Sequence, residues 1–211
     1  MLVLALDTST PAVTVALHDG ARVLAESTTI DARRHTELVA PAVVAALAEA
    51  GADRRDVTTV GVGVGPGPFT GLRIGLVTAR ILGAALSVPV HGMCSLDIVA
   101  RRVKADGSFV VAGDARRREV YWAAYDAAGR RTSGPSVGPP ANVATDLPVA
   151  GEGSRLYPQA FPNPVEPRYP RAAELAEAIA RGSAELLPPD PLYLRRPDAR
   201  PPGAPKPVLS R

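Results

Sequence analysis

The chain has 211 residues and a mass of 21.9 kDa, with 46% hydrophobic and 21% charged residues, which suits one large domain or two small lobes with a buried core. Its formal charge of +3 is too small to mark a nucleic-acid binder by itself. One cysteine, Cys94, excludes an internal disulfide and a cysteine metal cage, and His18, His35 and His91 form no local pair at metal-binding spacing. The segment Met1–Asp7 lacks the basic start of a signal peptide, and the apolar stretch 72–90 is broken by Arg73, Arg80 and Pro89. The expectation is a soluble, cytoplasmic protein without membrane contact.

Leu2 to Leu6 is an apolar run ending in Asp7, the pattern of a strand buried on both faces. Turn residues follow, then Val13, Val15 and Leu17 alternate at strand period, and Asp19-Gly20 is a hairpin turn into a returning strand from Arg22 to Thr28. A helix is predicted over 36–50, stopped by Gly51, and a strand over 57–64. The loop Gly65-Pro-Gly-Pro-Phe-Thr-Gly71 leads into a second helix over 72–86, a short strand over 88–91 and a third helix capped by Ser95 that runs to about Lys104. Strands are predicted over 109–112 and 120–125 around the turn Asp114–Glu119, with a loop-like stretch over 133–150 and a helix over 172–181. Eight prolines in the last 24 residues predict an extended tail without a core of its own. This layout divides into a lobe over 1–105, a smaller lobe over 106–187 and a Pro-rich tail over 188–211, with no clear internal sequence repeat.

Three segments invite a functional reading. Leu38 to Ala48 carries eleven consecutive positions without a polar side chain, although a helix on one face of a sheet usually shows a polar side to water. Leu38, Ala42 and Ala46 form one ridge and Val39 and Val43 the next, so the outer side is either tolerated alanine or a partner face. In the second helix Gly75, Ala79 and Gly83 form a small-residue stripe, suited to close packing on its own sheet or on a helix of another chain. The glycine-rich loop with Gly65, Gly67, Thr70 and Gly71 resembles a phosphate cradle next to Asp7, but no Gly-Lys-Ser/Thr follows, and a structural turn accounts for it better. Asp7 reads as a turn aspartate or as a neighbour of a metal–nucleotide. His35, near Glu37, reads as a helix-start residue or as half of a catalytic pair. Arg116-Arg-Arg118 reads as a solvated turn or as a contact for an acidic or phosphate group.

Together, Asp7-Thr-Ser-Thr, Arg34-His35-Thr-Glu37, Val64-Gly-Pro-Gly-Pro-Phe-Thr-Gly-Leu-Arg-Ile-Gly75, Asp114-Ala-Arg-Arg-Arg-Glu-Val-Tyr-Trp122 and Pro191-Leu-Tyr-Leu-Arg195 resemble the bacterial TsaB (YeaZ) family over about residues 2–198. The resemblance implies an α/β fold of the actin/hexokinase/Hsp70 type, with two ribonuclease-H-like lobes of mixed sheets flanked by helices. It also implies a non-catalytic dimerisation subunit that needs no cofactor. Such a subunit pairs with the catalytic paralogue TsaD, is joined by the ATPase TsaE, and meets tRNA only through the complex, which adds threonylcarbamoyl to the adenosine beside the anticodon. Family pairing uses the first two helices of the first lobe. On this chain that implicates His35, Leu38, Val39, Ala42, Val43, Ala46, Arg73, Gly75, Leu76, Ala79 and Gly83, with self-pairing of the isolated chain through the same face also open. The reading predicts that Val43→Asp or Ala79→Glu breaks pairing without unfolding.

The paralogue resembled here holds its metal with a His-x-x-x-His pair that gives the group its peptidase M22-like label. In the matching stretch Pro89-Val-His-Gly-Met-Cys-Ser-Leu96 the two ligand positions are Gly92 and Leu96, neither of which coordinates a metal. The competing expectation is a small ATP-dependent phospho- or carbamoyltransferase that uses Asp7 and the 65–71 loop.

Overall fold

A computed structural model describes residues 1–195; of the Pro-rich tail, residues 196–211 lie outside the described part. Among the described residues, ten strands form two five-stranded sheets, flanked by five α-helices. The first contains β1 (Val3–Asp7), β2 (Ala12–His18), β3 (Val23–Ile30), β4 (Thr59–Gly63) and β5 (Val90–Met93) in the order β3-β2-β1-β4-β5. The first three strands are antiparallel neighbours, and β4 and β5 run parallel to β1. The second contains β6 (Phe109–Asp114), β7 (Val120–Tyr125), β8 (Arg131–Gly138), β9 (Val149–Ala150) and β10 (Pro164–Val165) in the order β10-β9-β6-β7-β8. Read from its meander, this is the same order and the same pattern of strand directions as the first sheet. The chain thus repeats a topology that its residues do not repeat.

The apolar run at the N-terminus is explained by what lies on each side of it. Leu2, Leu4 and Leu6 face the core shared with α1 (His35–Glu49) and α2 (Phe69–Leu86), while Val3 and Ala5 face α5 (Ala172–Arg181) on the opposite side. Val13, Val15 and Leu17 of β2 join the first core, and Val60, Val62 and Val64 do so from β4 and the residue after it. Thr14 is a buried polar residue, and its hydroxyl oxygen accepts from Ala172 N at the start of α5 (3.1 Å). Glu26 accepts from Arg171 at the same helix start. Helix α5, grouped by sequence with the second lobe, therefore packs across the first sheet.

The second sheet has shorter covers. The helix α3 (Ser95–Ala100) lays Leu96, Val99 and Ala100 against Phe109, Val111, Ala123 and Tyr125, while α4 (Glu152–Leu156) sits by β6 on the side of Val110, Val120 and Phe161. Tyr125 donates to Asp97 (2.8 Å), which also pairs with Arg131 (3.2 Å).

Several boundaries differ from the sequence reading. The helix α2 starts three residues early, because Pro68 occupies its N-cap and needs no donor there. Pro41 lies inside α1, which runs on through it, and the carbonyl left without its donor belongs to exposed Glu37. Ser95 does not cap α3 but is its first residue, with its side chain turned elsewhere, and α3 ends at Ala100 rather than near Lys104. The stretch over 133–150 is not a loop throughout. Its start belongs to the edge strand β8, which tolerates Gly134 and Pro135 because its outer side needs no partner and its pairing with β7 is irregular there.

Packing of α2 on the sheet sets a measurable constraint. A Cβ on Gly75 would stand 2.4 Å from the Thr8 hydroxyl oxygen, which accepts from Gly75 N at 2.9 Å. Gly75→Ala gains about 1 kcal/mol of helix propensity, but overpacking costs about 1–3 kcal/mol and the Thr8 contact is strained as well. The expected outcome is a net loss of stability, read as a lower urea midpoint at unchanged slope.

Candidate functional site

The turn after β1 is the most closely tied part of the first lobe. Asp7 is fully buried, and both of its oxygens are engaged. Oδ1 accepts from Ser9 N and Ser9 Oγ (both 2.8 Å), and Oδ2 accepts from Ser95 Oγ at 2.6 Å. Ser95 Oγ also accepts from Gly65 N (3.1 Å), so one hydroxyl ties α3, the glycine-rich loop and β1 together. No sequence signal marked Ser95 for this role; it resembled an ordinary cap.

The glycines admit this arrangement. A Cβ on Gly63 would lie 1.7 Å from Asp7 Oδ2, and one on Gly67 would lie 2.2 Å from the carbonyl oxygen of Ser9. A Cβ on Gly71 would lie 2.5 Å from the carbonyl oxygen of Thr8, whose hydroxyl donates to the Gly71 carbonyl (2.7 Å). The space beside the loop is therefore filled by the chain's own Asp7–Ser9 turn. Thr70 is exposed at the loop's far end, and Gly65 contacts Leu72. Between this turn and the second sheet lies a cavity of ≈ 30 Å³, lined by Ser9, Pro66, Leu96 and Tyr121 among others, far below the roughly 300 Å³ at which ligand pockets begin. An open depression of ≈ 230 Å³ adjoins it, lined by Thr10, Arg33, His35, Thr70 and Arg116. His35 is buried there, and its Nε2 donates to the Thr10 carbonyl (2.7 Å) rather than pairing with Glu37, which is bound to Arg34.

Arg116, Arg117 and Arg118 are exposed and all adopt left-handed backbone angles (φ 61°, 54° and 62°). Asp114 holds the turn by accepting from Arg116 N (2.8 Å) and pairing with its guanidinium. Cys94 is buried, and desolvation pushes its thiol up to about 12, so it is no nucleophile at neutral pH.

The two helices on the first sheet separate the expected partner residues into two groups. Val39, Val43 and Ala46 of α1 and Gly75, Leu76, Ala79 and Gly83 of α2 are buried in the core. The small-residue stripe is thus a packing seam against the protein's own sheet: a Cβ on Gly83 would meet Val90 at 2.2 Å. Leu38 and Ala42 are half-buried. Arg73 is exposed, but its Nε donates to the Tyr193 hydroxyl (2.7 Å), and its guanidinium lies over the rings of Phe69 and Tyr193. The surface that another molecule can reach is different. Val44, Val77 and Ile81 are 66%, 53% and 62% exposed, and the outer sides of α1 and α2 add Ala40, Pro41, Ala45, Ala48, Ala84 and Ala85. Sequence reading missed Val44 because the apolar middle of α1 gives no phase, and it missed Val77 and Ile81 although exposed Arg73 and Arg80 mark the outer side of α2. Val43→Asp and Ala79→Glu consequently place a charge in the core and unfold the chain, contrary to the expectation from sequence.

Gly92 and Leu96, which the family resemblance sets against the paralogue's metal ligands, have packing roles here. Gly92 lies in β5, where a Cβ would meet Val64 at 2.4 Å, and Leu96 is buried in the second core. Among the described residues no three His, Cys, Asp or Glu side chains gather to hold a metal.

Comparison with known proteins gives the lineage. The family model described as "TsaD: tRNA N6-adenosine threonylcarbamoyltransferase" matches residues 22–170. A solved structure of YeaZ from Pseudomonas aeruginosa superposes with a TM-score of 0.78 at 32% identity, covering 92% of this chain and 99% of that one. The chain belongs to the TsaB (YeaZ) family. Its two mixed sheets with flanking helices are the actin/hexokinase/Hsp70-type fold that the resemblance implied. An uncharacterized protein of Mycobacterium leprae is 46% identical over 206 residues, which are 95% of this chain and 56% of that protein. The tRNA threonylcarbamoyladenosine biosynthesis protein TsaB of Escherichia coli is 37% identical over 128 residues, 59% of this chain and 55% of that protein. The chain thus matches little more than half the length of either relative.

The Asp7 network makes a pH prediction. Desolvation by burial raises the Asp7 carboxyl above its ordinary value of 3.8, against the lowering effect of its three hydrogen bonds. Between 3.8 and the raised value the native chain keeps a proton that the unfolded chain has lost, so this group's contribution to stability falls as pH rises through that window. Asp7→Asn should flatten that fall, as read from urea unfolding of both proteins across acidic to neutral pH.

Proposed function

We propose that this protein is the non-catalytic scaffold subunit of a cytoplasmic tRNA threonylcarbamoylation complex, docking a TsaD-type paralogue through the outer faces of α1 and α2, with a TsaE-type ATPase completing the assembly. The observation that carries the reading is three large exposed apolar side chains, Val44, Val77 and Ile81, on two adjoining helices whose outer sides also carry several alanines and the arginines Arg73 and Arg80. Apolar side chains this large and this exposed on adjoining helices are what an obligate partner covers. The relation to E. coli TsaB supports the reading from a second side. Catalysis is assigned to the partner, because Gly92 and Leu96 supply no ligand and Asp7 is saturated by the chain's own donors. The same saturation weighs against an ATP-dependent transferase built on Asp7 and the 65–71 loop. Transfer RNA meets the subunit only within the assembly.

Val77→Asp and Ile81→Asp leave the fold intact, because both side chains stand in solvent, but place an unpaired charge in the docked face. Affinity for the paralogue, measured by calorimetry, is expected to fall by about tenfold or more. Unchanged affinity in both variants excludes this face. Size measurement of the isolated chain reports whether a second copy takes the same surface, in which case the same variants yield monomer. At the level of function, depletion of the protein is expected to lower threonylcarbamoyladenosine in bulk tRNA, read by mass spectrometry; an unaltered level removes the assigned role.

A further inference from the structure

Residues 187–195 follow a path that the composition of the tail did not suggest. They are extended, but far from detached. Leu187 exchanges two hydrogen bonds with Gly92 at the outer edge of β5 (2.7 and 2.8 Å), adding a short antiparallel bridge to the first sheet. Gly92 must be glycine to allow it, since a Cβ would also stand 2.7 Å from the Pro188 carbonyl oxygen. Leu192 N then donates to the Val64 carbonyl (2.8 Å), and the Leu192 side chain packs against both the first-lobe core and the core of the second sheet.

On its outer side the same segment holds α2. Asp190 pairs with Arg80, and the Tyr193 hydroxyl accepts from Arg73 while its ring packs on Phe69 (centroids 4.9 Å apart). Arg73 and Arg80 flank Val77 along the exposed side of α2. Finally Arg195 donates to the Ala115 carbonyl (3.1 Å) and pairs with Glu119, both in the β6–β7 turn of the second lobe. Nine residues therefore touch β5, α2, two cores and the opposite lobe.

We propose that residues 187–195 are a clasp that ties the arrangement of the two lobes to the docking face of α2, so that the partner recognises one lobe arrangement rather than α2 alone. The inference rests on the docking reading given above. Its physical content is geometric. If the second lobe swings, the Arg195 contacts with Ala115 and Glu119 must break or drag the segment along, and the segment is fastened to the two arginines that border Val77. A partner seated on Val77 thereby favours the arrangement in which the clasp is closed, and a closed clasp presents that border already ordered.

The test uses the full chain carrying a spin label on each lobe, at Ala21→Cys in the β2–β3 turn and Ala128→Cys, both exposed and outside the docking helices, with buried Cys94 left in place. Inter-label distances are compared for the otherwise native chain and for Arg195→Gln, which cuts only the second-lobe end, and for Tyr193→Ala, which cuts only the α2 end. The expected result is a narrow distribution in the first and a broadened one in Arg195→Gln that narrows again when the paralogue is added, with affinity weakened about fivefold or more in both variants. Val77→Asp provides the separating arm, abolishing docking while leaving the distances narrow. An unbroadened distribution in Arg195→Gln overturns the clasp. So does broadening without loss of affinity while Val77→Asp still abolishes docking. If Val77→Asp leaves affinity intact, the docking reading itself has failed, and the distances alone show whether the lobes are clasped.

Discussion

The contact that most of the first lobe depends on is the backbone-close packing of the glycine-rich segment on the Asp7–Thr8–Ser9 turn. Gly63, Gly67, Gly71 and Gly75 recur every fourth residue, and at each one a single methyl group would collide with that turn. The segment crosses from strand to loop to helix, so helical period is not the cause. Each glycine answers to a different atom of the same short turn. The result is a carboxylate enclosed by its own donors and a helix pressed against its sheet. The consequence reaches the far side of α2. Once Gly75 and Gly83 are fixed on the sheet, the rotation of the helix is fixed, and Val77 and Ile81 have no direction left but outward.

This explains why some of the architecture was legible and some was not. The all-apolar β1, the Asp19-Gly20 hairpin and the 172–181 helix each carry a local pattern with one reading, and each is observed where the residues indicate. The phase of α1 carries none. Alanine and valine alternate around it without a polar side, and only the sheet decides that Val39, Val43 and Ala46 are inside while Val44 is outside. The small-residue stripe of α2 left two readings open, its own sheet or a partner helix, and packs on its own sheet. The repeated strand order was implied by the family resemblance but hidden from residue patterns, because topology is a property of which strands pair and two halves can share it with no residue in common. Ser95 was misread for a related reason: a serine before a helix is a cap in most contexts, and nothing local announces a buried carboxylate 88 positions earlier in the chain.

The two halves repeat a topology but are not equals. The first sheet is covered by helices of 15 and 18 residues on one face and by one of 10 on the other, whereas the second has helices of six and five. A sheet with such small covers buries less apolar surface of its own. The structure offsets this by sharing: Leu192 packs against both cores, and α3 gives Leu96 and Val99 to one sheet and Ile98 to the residues under α5. The second lobe is in this sense a dependent of the first.

That dependence shows in how the two lobes are held together. The cavity beside Asp7 is small, with the open depression adjoining it, and the lobes are joined by α3, which feeds both cores, and by the segment ending at Arg195. The same packing fixes the outer surface of α1 and α2 on the better-built lobe. A rigid apolar face loses little conformational entropy on association, so most of the free energy of covering it goes into the complex. The contacts that fill the space beside Asp7 are therefore also the ones that fix the exterior: glycines draw α2 inward, and a C-terminal segment braces it from the side.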